Sequence, residues 1–302
     1  MESLRDIRGN IKSIAATRQI MVTMKMIASA RVKKAQRAIE TARPFAVKMR
    51  DMMESLRAEF AEHDTSFENS SLRWFCERRP ADGGKETVGL ILITADKGLC
   101  GAFNTNLLRL AAEWLRENRD KRIRAFAVGK KGRDFLRRLR GLDIELVHES
   151  VGIFPKVSFA NAELLGAALA EEYEKQGIAE VTAIYTDFKS MMAQVARREE
   201  FLPVACEAKP SGKAYRDDFI FEPGKQAVIE SLIPRYVKAQ LYRMMLESQA
   251  AELAARLNAM ESAGQNAAGI IDALTLKLNR TRQASITTEL TEIVSGAEAL
   301  KS

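Results

Sequence analysis

The chain has 302 residues, of which 46% are hydrophobic, so it can bury the core of one large domain or two ordinary ones; its net charge of +7 suits nucleic acid, an anionic membrane surface or an acidic protein without choosing among them. No run approaches the roughly 18 consecutive apolar residues of a membrane-crossing helix, and the amino terminus lacks the apolar core of a secretory signal, so a cytosolic protein is expected. Cys76, Cys100 and Cys206 are far apart, and His63 and His148 have no plausible co-ligand nearby in sequence, which argues against a disulfide framework, a zinc site and histidine chemistry.

Every seventh residue from Ile7 is apolar: Ile7, Ile14, Met21, Ala28, Ala35, Ala42, Met49 and Leu56. A companion series from Leu4 to Phe60 is interrupted only by Arg18 and Lys25, whose stems can flank a seam while their charges reach outward. The spacing predicts a coiled-coil helix over about residues 3 to 57, roughly 80 Å long. Its bases, from Arg5 to Arg57, outnumber Glu2, Asp6, Glu40, Asp51 and Glu54, which reads either as a solvated face or as a surface for nucleic acid, an anionic membrane or an acidic protein partner.

Residues 61–86 are polar and end in Asp82-Gly83-Gly84-Lys85, the composition of a linker or loop. Beyond them, strand and helix patterns alternate. A buried strand at Thr87 to Thr94 leads through Asp96-Lys97-Gly98-Leu99-Cys100-Gly101 into a helix near 103 to 118. Strands follow near Arg124, Ile144 and Val181, with helices from Lys130 and Ser158, and Ala193 to Phe201 is expected to return antiparallel as an edge hairpin. Such alternation implies a mostly parallel sheet in a three-layer, Rossmann-like α/β domain over 87–219.

The region 220–302 repeats the heptad signal, with Leu246, Leu253, Met260, Ala267 and Leu274 in one series and Ala250, Leu257, Gly264, Ile271 and Leu278 in the other. The expected fold class is therefore α/β with a long antiparallel coiled coil, in which 1–60 pairs with 220–302. Matching residue 57 to residue 225 sets residue 3 near residue 279, and leaves Ile286, Leu290, Ile293, Val294 and Ala297 as an apolar stripe that the chain itself cannot cover. An external sleeve is the sharper reading; a frayed or back-folded terminus is the plainer one.

The turn after the first strand invites a nucleotide reading, since helix amino termini attract phosphate. Neither it nor Gly129-Lys130-Lys131-Gly132 nor Ser211-Gly212-Lys213 completes a dinucleotide or P-loop motif, so no cofactor is implied. Cys100 sits where a thiolate is favoured, but no general base accompanies it, and a packing or interface cysteine is the better reading. Met21, Met24 and Met26 read as adaptable core filling more readily than as a binding surface.

Three stretches together resemble the gamma subunits of rotary ATP synthases along essentially the whole chain. They are Ile7-Arg8 through Ala28, the run Ile93 to Asn104 containing Asp96, Lys97, Gly98, Leu99, Cys100 and Gly101, and Ala259-Met260 through Gly296-Ala297. The resemblance implies a non-catalytic central-stalk rotor whose tip turns within three alpha and three beta subunits. It implies contacts with that sleeve from Arg282, Gln283, Ile286, Thr287, Leu290 and Ile293, with Met24 and Lys25 facing an acidic lever of a beta subunit. The partners so implied also include the epsilon subunit and the membrane c-ring, with no nucleic acid, and the membrane association is indirect, at the cytoplasmic face of a bacterial inner membrane.

Leu257 and Gly264 stand where the family more often carries methionine and threonine, and the 61–86 segment is longer than usual. The regulatory cysteine pair of chloroplast relatives is not evident, and no transit peptide precedes the first helix, so a bacterial protein is expected. The alternatives open to sequence are a coiled-coil nucleic-acid or chromosome-organising protein with an inserted hinge domain, and an α/β enzyme whose helices serve only oligomerisation.

Overall fold

The computed structural model describes residues 3–62, 84–154, 156–175, 177–204, 222 and 225–299. Ten elements are present among them: α1 (Leu4–Glu62), β1 (Thr87–Ile93), α2 (Phe103–Glu117), β2 (Arg122–Val128), α3 (Lys130–Arg138), β3 (Ile144–Ser150), α4 (Phe159–Lys175), β4 (Glu180–Phe188), β5 (Gln194–Leu202) and α5 (Lys225–Ala299). Two compact units contain them, one of Met1–Ser29 with Arg256–Ser302 and one of Ala30–Ala255. The 61–86 linker falls almost wholly outside the described residues, as do Cys76, Cys206 and His63.

In the larger unit the sheet order is β3-β2-β1-β4-β5, with β1 to β4 parallel and β5 antiparallel to β4. The expected edge hairpin thus forms. β1 and β4 are buried on both faces, β1 through the apolar run Val88 to Ile93 and β4 with Thr182, Thr186 and Asp187 among its buried residues, whereas the outer strands β3 and β5 alternate between more and less covered positions. α2 lays Phe103, Leu107, Ala111 and Trp114 on the sheet at helical spacing, and the Trp114 indole N–H, which burial would otherwise leave unpaired, donates to Thr182 Oγ1 at 3.1 Å. Connections reverse direction between β1 and β4, so the carboxyl ends of those strands form the crevice where doubly wound folds place their ligands.

Also in this unit, α1 and α5 run side by side: Val32, Ala35, Ile39, Met49 and Met53 of α1 share one core with Ile233, Val237, Leu241, Leu246 and Ala250 of α5 and with the sheet. Gln240 Nε2 donates to the Ala46 carbonyl at 2.9 Å. In the smaller unit the same two helices pair again, and Lys25 Nζ meets Glu261 Oε1 at 2.7 Å. In each unit the partner numbers sum to 286, not to the 282 implied by matching residue 57 with 225. The register is therefore one helical turn from that expected, and residue 3 lies opposite about residue 283. Heptads fix which face pairs, but a shift by one turn leaves apolar residues near the same seam; packing chooses the offset.

Candidate functional site

The amino-terminal end of α1 opens with a capping box. Ser3 Oγ accepts from the Asp6 N–H and Ser3 N–H donates to Asp6 Oδ2, both at 3.2 Å, which satisfies amides that a helix start leaves free. From there the predicted seam is covered: Ile7, Ala28, Met260 and Ala267 are buried, and Leu4, Ile11, Ile14, Met21, Ile271, Leu274 and Leu278 are half-buried.

Past Leu278 the coverage ends. Ile286, Leu290, Ile293 and Val294 are exposed to 49%, 57%, 67% and 61%, on a helix that stays regular to Ala299. Arg282, Gln283 and Thr287 are exposed beside them, with Thr287 Oγ1 bonded back to the Gln283 carbonyl at 2.9 Å. On α1, Met24 is half-buried, as is Lys25 in its ion pair with Glu261.

In the same unit α1 also exposes apolar side chains: Ile20, Met26 and Ile27 are exposed to 60%, 67% and 49%. Of the methionine cluster read as core filling, Met21 and Met24 lie partly in the seam and Met26 does not. The signal was available, because Met26, Ile20 and Ile27 belong to neither heptad series.

Asp96 to Gly101 lie at the carboxyl end of β1, at the crevice. Asp96 Oδ1 accepts from the Lys130 N–H and the Gly152 N–H, each at 3.0 Å. The Lys131 N–H donates to the Ala95 carbonyl at 3.1 Å and the Gly132 N–H to Thr94 Oγ1 at 2.7 Å. The first amides of α3, which would greet a phosphate in a nucleotide-binding fold, are thus taken by this turn. Asn104 closes the other side, accepting from the Ala95 N–H at 3.0 Å and donating to Cys100 Sγ at 3.1 Å. Cys100 is buried and Leu99 is exposed with φ +61°.

The turn is a weld between β1, α3 and the loop after β3. Asp96→Ala should lower the stability of the chain by about 1–2 kcal/mol, as loss of a helix cap does, and Asp96→Asn, which keeps an acceptor oxygen, by less; urea midpoints measure both. Equal stability of all three proteins would refute the capping role.

His148 Nε2 lies 2.9 Å from Ser150 Oγ, and burial lowers its pKa. Among the described residues no group of three or more His, Cys, Asp or Glu side chains could hold a metal, and no helix is long and apolar enough to cross a membrane.

The sequence matches the family described as ATP synthase over residues 3–300. It is 48% identical over 303 residues to the ATP synthase gamma chain of Elusimicrobium minutum, covering 99% of each chain, and 39% identical to that of Moorella thermoacetica, covering all of both. The chain belongs to the ATP synthase gamma-chain family. A gamma chain is the non-catalytic rotor subunit of the central stalk in proton-transporting ATP synthesis, part of a membrane-associated complex. Among solved structures, a chain of the Euglena gracilis mitochondrial ATP synthase has the same fold, with a TM-score of 0.65 at 20% identity over 98% of this chain and 94% of that one. A chain from the central stalk and c-ring of the Tetrahymena thermophila enzyme aligns with a TM-score of 0.57 at 24% identity, over 81% and 99%.

Proposed function

We propose that the tip of this gamma chain turns inside a sleeve of three alpha and three beta subunits, with 1–60 and 220–302 as the shaft, 61–86 as a linker and 87–219 as a foot fixed to the c-ring and the epsilon subunit. The observation that carries this reading is the apolar stripe Ile286, Leu290, Ile293 and Val294, which stays exposed on a regular helix. Such a contiguous exposed stripe marks a surface that a partner covers. Arg282, Gln283 and Thr287 supply the polar contacts at its start, while Met24 and Lys25 engage an acidic lever of a beta subunit.

Rotation does work through differential contact. At each angle the shaft touches the three beta subunits differently, and only a difference in interaction free energy between their open and closed states shifts those populations and hence nucleotide affinity. The chain reaches the cytoplasmic face of the bacterial inner membrane through the ring, and nucleic acid plays no part. Co-expression with alpha and beta subunits should yield a stable complex whose ATPase activity requires this chain. A complex that forms without it, and hydrolyses ATP equally well, would refute the proposal.

A further inference from the structure

Where α5 meets β4 and β5 it presents a stripe of polar side chains beside the buried Leu241, Met244, Met245 and Leu246. Gln240, Glu247 and Ser248 are buried, and the Arg243 side chain keeps only 11% of its surface exposed. Arg243 is the node. Its Nε donates to Gln240 Oε1 at 2.8 Å, and Nη1 donates to the Tyr185 hydroxyl at 3.3 Å and to Glu247 Oε2 at 3.4 Å. Nη2 lies 3.5 Å from Glu199 Oε1, and the guanidinium sits over the Tyr185 ring, 5.6 Å from its centroid. Tyr185 in turn donates to Glu199 Oε2 at 2.6 Å, so β4 and β5 are held together at the point where the helix holds them.

The same stripe reaches α1. Glu247 Oε1 accepts from Arg43 Nη2 at 3.4 Å, Arg43 Nη2 also lies 3.4 Å from the Phe188 carbonyl at the end of β4, and Gln240 grips the Ala46 carbonyl. β4 pairs with β1 only as far as Leu92 with Ile184; two residues on, the Thr186 N–H donates instead to Ser248 Oγ at 3.1 Å. The shaft helix has thus taken the place of the missing strand.

We propose that Arg243, with Glu247, Gln240 and Ser248, forms the joint through which torque passes between the α/β domain and the coiled coil. This rests on the rotor function of the gamma chain. Apolar packing resists separation of a helix from a sheet but is non-directional, so it does little to stop the helix sliding or turning in its seat. Hydrogen bonds fix an angle as well as a distance, and those of Arg243 to Tyr185, of Gln240 to the Ala46 carbonyl and of Ser248 with the Thr186 N–H, with the ion pair of Arg243 and Glu199 beside them, reach α1, β4 and β5 at once. Burying these charges gives little net stability over an apolar cluster of the same volume, which leaves geometry as what the cluster contributes. Burial opposes the charge of Arg243, but Tyr185, Glu247 and Glu199 hold its pKa above the ordinary value, so the cation persists.

The test compares the complete ATP synthase carrying Arg243→Met with Glu247→Leu, which removes both buried charges and leaves the more exposed Glu199 to the Tyr185 hydroxyl and Arg43 to the Phe188 carbonyl, to the parent in inverted vesicles. The expected result is an unchanged melting temperature and unchanged ATP hydrolysis in the presence of a protonophore. The ATP-driven proton gradient reached per ATP hydrolysed should fall at least about threefold, in line with the coupling lost when contacting polar residues are removed. Arg243→Lys, which keeps the charge and loses the separate Nε and Nη1 bonds to Gln240 and Tyr185, should fall between the two, and it carries the same test should the double variant not assemble. A gradient equal to that of the parent would overturn the joint, as would hydrolysis and gradient declining in step with the melting temperature, the mark of a merely structural role. Parent complexes whose hydrolysis ignores this chain would instead overturn the placement inside the sleeve.

Discussion

Gly129→Ala should destabilise the α/β domain by more than about 3 kcal/mol, the largest effect expected of a single methyl group in this chain. Gly129 is the residue before α3, with φ 92° and ψ 145°, close to a region essentially reserved for glycine. A Cβ there would stand 2.0 Å from the Thr94 carbonyl oxygen and 2.7 Å from its carbon, atoms of the backbone at the end of β1 that cannot rotate away. The Thr94 N–H bonds to the Val128 carbonyl at 2.8 Å, so relieving the clash pulls apart the central strands β1 and β2 as well as the weld around Asp96. The urea midpoint followed by tryptophan emission measures this, since Trp114 is fully buried on the same sheet. Gly98→Ala, in the same turn but with no atom within 4 Å of the new methyl, should stay within about 0.5 kcal/mol of the parent. Equal stability of the two variants would refute the close approach.

Replacing Ile286, Leu290 and Ile293 together by glutamate should leave the isolated chain as stable as before and cripple its entry into the alpha–beta sleeve. All three side chains are already exposed and glutamate favours helix, so folding loses little. In the sleeve each would bury roughly half its apolar surface anew, about 0.8–1.5 kcal/mol apiece. The sum of about 2.4–4.5 kcal/mol corresponds to an affinity roughly 50-fold to 1,600-fold weaker, before any cost of burying charge. Titration of the chain against alpha–beta subunits reads this out directly. Retention of the parent affinity would mean the stripe is not the docking surface.

The helices, the strands and their order of alternation were legible because each rests on a local period. The seven-residue repeat starting at Ile7 marks the seam whatever lies opposite, and the apolar run Val88 to Ile93 marks a strand covered on both faces. The overhang followed from length alone, since α5 is longer than α1. The one-turn register error shows the limit of this reasoning: a shift by one turn keeps apolar residues near the seam, and only contacts such as Lys25 with Glu261 and Gln240 with the Ala46 carbonyl distinguish the offsets. Of the surface residues, Met26 could have been found from its place outside both series.

The sequence by itself determined that two amphipathic helices flank a parallel α/β domain and that the far end of the second helix carries an uncovered apolar stripe, because periodicity and length act along the chain. Tertiary structure alone decided the two polar constellations. Asp96 caps amides 34 and 56 positions away, and Arg243 gathers groups from β4 and β5 while its neighbours Glu247 and Gln240 reach α1; such partners share no spacing in the sequence and meet only when the fold brings their elements together. Their chemistry is short-ranged and directional, so it is specified by three-dimensional neighbours, whereas the hydrophobic pattern needs only to know which face is inside.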